Sequence, residues 1–229
     1  MTTELTDILC HFALYRFKNK YWELNIGERA KFHREWMARL QKTCHNMDTY
    51  QVFPVDNGAD ILIWSVVVVQ NNDDAIQFFA KYARSTNQFR GLIDPVVNLW
   101  GYAQPLQHSQ ICSIQEIAPL AKNRKKYMVV YPIVRTAEWY ATSHKIRQDM
   151  MNEYLKLGAE YPQISQLLIN SFNLQNHESI IAYETNDVQS LSRFMNDLHH
   201  TQTWCYVQRN TPMHTAIYHP AEETLALWR

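Results

Sequence analysis

The sequence predicts an α+β fold, and three observations lead to this class. The order strand, helix, hairpin, helix, strand occurs twice along the 229 residues. The run 61–69 is apolar and rich in β-branched residues, and it is far too short to cross a membrane, so we expect a buried strand. Asp56-Asn57-Gly58 precedes this run as a hairpin turn would, because Asn and Gly tolerate positive φ. The predicted architecture is two tandem ferredoxin-like units, each with the split β-α-β-β-α-β pattern, in a dimeric α+β-barrel type fold.

The first repeat occupies the predicted N-terminal half, residues 1–110. Alternation of polar and apolar residues predicts its first strand, and apolar residues at helical spacing predict its first helix. Asn72, Asp73 and Asp74 supply capping side chains and favourable negative charge for the second helix. The predicted elements are strand 11–17, helix 26–44, strands 49–55 and 61–69, a helix from 72 to 83, and strand 94–100.

The second repeat occupies the predicted C-terminal half, residues 126–229, and follows a connector over residues 111–125. Pro119 punctuates the connector, and Asp187 is placed to cap the second helix of this half. The predicted elements are strand 127–132, helix 142–157, strands 164–172 and 179–183 joined across 173–176, a helix from 187 to about 200, and a final strand 206–217.

Composition narrows the classes of function. Lys and Arg number 22, and Asp and Glu also number 22, so the formal net charge of +0 favours neither nucleic acid nor an anionic membrane as a partner. The four cysteines show no paired or metal-type spacing, and the histidines form no HxxxH or HExxH pattern. The N-terminus lacks the features of a signal peptide. We therefore expect a cytoplasmic protein.

A set of short motifs spans almost the whole second half. They are Tyr131-Pro132, Trp139-Tyr140, Met150-Met151-Asn152-Glu153, Gly158, Tyr161-Pro162, Ser171-Phe172, Ala182-Tyr183-Glu184-Thr185 and Arg209-Asn210-Thr211-Pro212. In this order and spacing they resemble the chlorite dismutase superfamily, and most closely its coproheme decarboxylase branch. The first half matches only in its pattern of strands and helices. The resemblance implies one porphyrin, haem b or coproheme, bound in the second half.

The resemblance also implies roles for individual residues. Tyr131 holds the position of a tyrosine that takes part in radical chemistry on the substrate propionates. Arg135 holds the position of a basic residue that binds or protonates a propionate, and an arginine can grip a carboxylate bidentately. The alternative for this pair, a tyrosine packed in a strand and a surface arginine, stays open. Trp139 matches a family motif and is a further candidate for contact with the porphyrin.

Gln166 falls where the family faces the distal side of the iron. Chlorite-degrading members place an arginine there, whereas several decarboxylases place a glutamine. Gln166 therefore argues against chlorite as the substrate. The alternative is an inward polar residue that needs a hydrogen-bond partner.

The iron-ligand position departs from the family. The ligand there is a histidine directly after the glutamate of the Met-Met-x-Glu motif, and this chain has Tyr154. The glutamate that supports the histidine corresponds to Gln202, and an arginine that binds a propionate corresponds to Cys205. Tyr154 is therefore either a tyrosinate ligand to ferric iron or a residue that fills the volume of the lost imidazole. Substitute ligands would be Met150, Met151 or His144.

Two functions follow from these residues. The first is a haem- or porphyrin-binding protein that resembles coproheme decarboxylase and, if active, uses peroxide. The alternative is a divergent member that has lost haem and acts structurally or binds another small ligand. Relatives of this length form rings, often pentamers, so the resemblance also implies a homo-oligomer.

Overall fold

The computed structural model describes residues 7–104, 115–171, 174–208 and 211–228. Parts of several predictions lie outside these ranges. They are the connector residues 111–114, the hairpin residues Phe172 and Asn173, and the motif residues Arg209 and Asn210. The chain divides into two compact units. Unit 1 comprises Met1–Ala103, Pro119–Lys122 and Ala216–Arg229, and unit 2 comprises Gln104–Ala118 and Asn123–Thr215.

The described residues form nine strands, seven α-helices and one 3-10 helix. The strands are β1 (Asp7–Phe17), β2 (Asn46–Gln51), β3 (Ile61–Val69), β4 (Ile93–Gln104), β5 (Gln115–Glu116), β6 (Tyr127–Ile133), β7 (Ile164–Asn170), β8 (Ser179–Thr185) and β9 (His214–Tyr218). The helices are α1 (Asn19–Trp22), α2 (Ile26–Gln41), α3 (Asn72–Asn87), α4 (Ala137–Ala141), α5 (His144–Ala159), α6 (Val188–Leu198) and α7 (Ala221–Ala226), and the 3-10 helix is Gln202–Tyr206. None of the helices in the described ranges has both the length and the apolar character that a membrane span requires.

Unit 1 is an antiparallel sheet with helices packed on it. Its strands follow the order β4-β1-β3-β2, and Ile217 and Tyr218 of β9 pair with β2. A capping box between Asn25 and Glu28 starts α2 by satisfying free N–H groups. The apolar stripe of α2 is buried in the core of this unit, as the helical spacing predicts.

The connection between β2 and β3 differs from the predicted tight turn. The strand β2 ends at Gln51, and a loop over residues 52–60 leads to β3. Gly58 does not adopt a positive φ. The loop is instead held at its base, where the Val52 N–H donates to the Asp60 carbonyl. Pro54 has no N–H to give to a ladder, so β2 could not continue to residue 55.

The C-terminal segment also differs from the predicted final strand 206–217. The 3-10 helix occupies its beginning, and β9 starts at His214. Residues 216–229 belong to unit 1, whereas chain order placed them in the second half. Leu225 and Trp228 pack in the core of unit 1, and the Tyr21 hydroxyl donates to the Trp228 carbonyl. Burial of apolar side chains therefore decides where this segment lies.

Unit 2 has a sheet with the strand order β6-β8-β7-β5. The strand β8 pairs antiparallel with both β6 and β7, and β5 pairs parallel with β7. The helices α5 and α6 lie between the same strands as the two helices of the predicted repeat. The α+β class and the tandem ferredoxin-like order of elements are confirmed.

Candidate functional site

A cavity in unit 2 brings together residues that are far apart in the sequence. Its internal space is about 50 Å³. The lining residues are Arg135, Met151, Tyr154, Gln166, Leu168, Ser179, Ile181 and Thr203. Four of them, Arg135, Met151, Tyr154 and Gln166, are among the site residues predicted from the sequence. The cavity is therefore the candidate site.

Local structure explains why these side chains converge. Met151 and Tyr154 are three residues apart on α5, so they lie on one face of the helix. Gln166 and Leu168 alternate along β7, and side chains two residues apart share a face of a sheet. In the pairing of β7 with β8, Gln166 lies opposite Tyr183, and Leu168 lies opposite Ile181. Residues that are directly opposite share a face, so the register completes one wall of the cavity.

Three side chains form a buried hydrogen-bonded chain in this wall. The Tyr154 hydroxyl donates to Gln166 Oε1, and it lies 3.4 Å from the Tyr183 hydroxyl. Gln166 is only 1% exposed, and Tyr183 is fully buried. Because the Tyr154 proton is used on Gln166, Tyr183 is left to donate to Tyr154. Sequence reasoning missed Tyr183, although it lies in a matched motif, because only the strand register reveals its contact.

Burial keeps the Tyr154 phenol protonated. Its side chain is 6% exposed, and burial raises its pKa to about 12, although the hydrogen bond with Tyr183 and the charge of Arg135 act in the opposite direction. The pKa of Tyr183 is also raised well above its ordinary value, chiefly by burial. Without a metal ion, Tyr154 is therefore a neutral hydrogen-bond donor near neutral pH.

The protonated state of Tyr154 predicts a loss of stability at alkaline pH. Its pKa is about 12 in the folded protein and about 10 in an unfolded chain. The unfolded chain therefore loses this proton first, so the free energy of unfolding should fall as pH rises from about 10 to about 12. For this group the fall is on the order of 3 kcal/mol. Urea unfolding across this range should show a smaller fall for Tyr154→Phe than for the native protein, and equal falls would contradict the prediction.

Arg135 is the cation of the cavity. Its Nη1 donates to the Thr203 carbonyl oxygen over 2.9 Å, and its guanidinium lies 4.3 Å from the centre of the Trp139 ring. Burial lowers its pKa, and the charge of Glu178 opposes this effect. The Glu178 carboxylate accepts the Arg135 backbone N–H over 2.9 Å. Arg135 is therefore held at the cavity wall by the Trp139 ring, by hydrogen bonds to Thr203 and at its backbone.

Tyr131 is buried in the core next to the cavity but does not line it. Its side chain is 3% exposed, and its ring packs 5.8 Å from the ring of Trp204. Burial raises the pKa of its phenol, while a hydrogen bond with Thr211 and the charge of Arg135 lower it. The geometry thus places Tyr131 near Arg135, as the resemblance implies, and leaves its catalytic role a prediction.

The remaining predicted residues lie around the cavity rather than in its wall. Met150 is buried and His144 is exposed, and neither lines the cavity. Gln202 is exposed, and its backbone N–H donates to Glu153 Oε2 over 2.9 Å. The Tyr154 hydroxyl makes its hydrogen bonds with Gln166 and Tyr183, so Tyr154 and Gln202, which the resemblance puts at the positions of the ligand and its supporting glutamate, do not pair with each other in the structure.

The residues that line the cavity meet part of what porphyrin binding requires. Met151, Leu168 and Ile181 supply apolar contact, and Arg135 supplies a cation for a carboxylate. They do not fit an iron held from α5 in the manner of the family, because the Tyr154 hydroxyl donates directly to Gln166, the residue that the resemblance puts on the other side of the iron. Across the described ranges, no group of three or more His, Cys, Asp or Glu side chains is arranged to hold a metal ion.

Comparison with known proteins gives consistent results. A family model described as chlorite dismutase matches residues 26–218. Coproheme decarboxylase of Mycolicibacterium smegmatis is 25% identical over 177 residues, which cover 77% of this chain and 74% of that protein. A chlorite dismutase variant from Candidatus Nitrospira defluvii superposes with a TM-score of 0.82 at 16% identity, covering 98% of this chain and 96% of its own. The same organism's enzyme in complex with imidazole gives a TM-score of 0.79 at 17% identity, with 96% and 94% covered. At these identities the two superpositions establish the fold alone.

Proposed function

Given that the chain belongs to the chlorite dismutase family, we propose that it is a haem- or porphyrin-binding protein whose cavity in unit 2 receives the macrocycle. One observation carries this proposal. Arg135, Met151, Tyr154 and Gln166, which the family resemblance marks as porphyrin contacts, line one cavity. The similarity to a coproheme decarboxylase supports haem b or coproheme as the ligand.

We further propose that Arg135 and the apolar lining residues, and not a ligand on α5, would hold the porphyrin. The Tyr154 hydroxyl is used on Gln166, and burial keeps the phenol neutral. Binding then depends on apolar contact and on Arg135, whose guanidinium suits a propionate. A haem bound in this way would lack the imidazole that haem peroxidases use. We therefore expect the protein to bind haem but not to catalyse reactions of peroxide or chlorite.

The assignment of Tyr131 and Arg135 to catalysis stays a prediction of the family resemblance. Tyr131 is buried, and its raised pKa keeps the phenol protonated. Arg135 is the nearby cation that would hold a substrate carboxylate. We also propose, on the resemblance alone, a cytoplasmic homo-oligomer.

Titration with haemin and with coproheme tests the proposal, with absorbance as the measurement. The native protein should bind, and Arg135→Met should weaken binding by roughly tenfold to 100-fold, the range expected when a hydrogen bond to a charged group is lost. Lys145 is an exposed residue of α5 outside the cavity, so Lys145→Met should bind haemin and coproheme as the native protein does. Oxygen should not evolve from chlorite. Binding that is equal in the native protein and Arg135→Met would contradict this use of the cavity.

A second candidate function is favoured by the contact between Tyr154 and Gln166. The family places these positions on opposite sides of the porphyrin iron, and here the two side chains are joined by a hydrogen bond. The second candidate is a member that has lost the macrocycle and holds another small ligand in the same cavity. A folded protein that binds neither haemin nor coproheme would favour it over the first.

A further inference from the structure

We infer that the cavity of unit 2 is a binding site for a small carboxylate with an apolar body, held by the Arg135 guanidinium and by the side-chain amide of Gln166. This inference rests on the second candidate function, in which the cavity takes a ligand other than a porphyrin. Three features of the wall lead to it: a hydrogen-bond donor without a partner, a cation with unused donors, and an apolar surface in the same lining.

The donor is the amide nitrogen of Gln166. Tyr154 donates to Oε1 of this amide, which fixes the orientation of the group. Nε2, on the other branch of the amide, is buried and has no hydrogen-bond partner among the described residues. A buried donor without an acceptor is costly, and most such groups in proteins are satisfied. Because Gln166 lines the cavity, a ligand that places an oxygen next to Nε2 would satisfy it.

The cation is Arg135. Within the described parts of the chain, its side chain makes hydrogen bonds only through Nη1, to the carbonyl and the hydroxyl of Thr203. Its Nε and Nη2 are therefore available as the pair of parallel donors that a carboxylate accepts. Stacking on Trp139 fixes the plane of the guanidinium.

The neighbouring carboxylate of Glu178 is already engaged elsewhere. It accepts the Arg135 backbone N–H and a hydrogen bond from the Tyr140 hydroxyl. Arg135 is the one charged side chain among the described lining residues, and the charge of Glu178 offsets part of it, so the cavity carries less than one full positive charge. A singly charged carboxylate matches this balance better than a phosphate, which needs more positive charge and more donors.

The rest of the wall selects an apolar body of modest size. Met151, Leu168 and Ile181 present hydrocarbon and thioether surface. The space inside the cavity is about 50 Å³, which restricts the ligand to a small molecule. The expected ligand class is therefore an aromatic or branched aliphatic monocarboxylate.

Calorimetric titration of the full chain tests the inference, with benzoate and isovalerate as carboxylate probes and benzamide as the neutral match of benzoate. Benzoate should bind at least about tenfold more tightly than benzamide, because the amide cannot pair with a guanidinium as an anion does. Arg135→Met should lose most of the benzoate affinity. Gln166→Glu should lose it as well, because a carboxylate would then face the carboxylate of the ligand. Lys145→Met should leave the affinity unchanged, and circular dichroism should show every variant folded.

Three results would overturn the inference: no saturable heat with either carboxylate up to about 10 mM, a range that covers weak millimolar sites; equal affinities for benzoate and benzamide; or benzoate binding that survives Arg135→Met. A haemin titration of the same samples separates this inference from the first proposed function. Benzoate binding without haemin binding supports the site and removes the porphyrin function. Haemin binding without benzoate binding supports the porphyrin function and rules out the carboxylate site.

Discussion

The Tyr154→His variant is expected to bind ferric porphyrin far more tightly than the native protein. Imidazole is a neutral ligand near pH 7, whereas the Tyr154 phenol, with a pKa of about 12, would have to lose its proton first. The shorter histidine also releases Gln166 from its hydrogen bond. Mutation of a residue that only supports a metal ligand lowers metal affinity by about 10–100-fold. Because Tyr154→His supplies a ligand itself, its affinity for ferric porphyrin should rise by at least this factor. Haemin titration followed by absorbance and electron paramagnetic resonance measures it.

Tyr154→Phe is the matched control for this variant. It removes the hydroxyl and supplies no ligand, so its haemin affinity should stay within a few-fold of the native value if Tyr154 fills space. A native high-spin ferric tyrosinate spectrum that disappears in Tyr154→Phe would show that Tyr154 is already a ligand. Tight native binding with a spectrum that Tyr154→Phe leaves unchanged would point instead to Met150, Met151 or His144.

The Trp228→Ala variant is expected to lose about 3–5 kcal/mol of the free energy of unfolding, the usual cost of removing a buried large aromatic side chain. Trp228 is 8% exposed and packs in the core of unit 1. Its ring lies 5.8 Å from that of Phe17, and its carbonyl accepts the Tyr21 hydroxyl. The variant leaves a cavity where the C-terminal segment docks. Chemical denaturation measures the loss.

Leu227→Ala is the control for this site, since Leu227 is the adjacent residue in the chain and is 49% exposed. A substitution at an exposed position outside a specific contact changes stability by no more than about 0.5 kcal/mol. Equal effects of the two substitutions would show that the C-terminal segment does not dock through Trp228.

Half of the eight residues that line the candidate site were predictable from the sequence, and their contacts were not. Arg135, Met151, Tyr154 and Gln166 were assigned from their places in family motifs, and all four line the cavity. Tyr154 and Gln202 were linked only because they stand at the positions where the family has the ligand histidine and the glutamate that supports it. The structure gives Tyr154 two different partners, Gln166 and Tyr183. Side chains from a helix and two strands meet here, and no local pattern specifies such a meeting.

The amino-acid sequence alone is enough to predict the class of fold and the order of its elements, and the resemblance assigns Tyr154 to the iron-ligand position. These follow from features that are read over a few residues: alternation in strands, helical spacing, capping groups and motif positions. Tertiary structure alone decided the register that sets Gln166 opposite Tyr183, the hydrogen bond that ties Tyr154 to this pair, and the docking of Trp228 in unit 1. Each of these depends on contacts between distant parts of the chain, where the free energy of burial and of satisfied hydrogen bonds outweighs local preference.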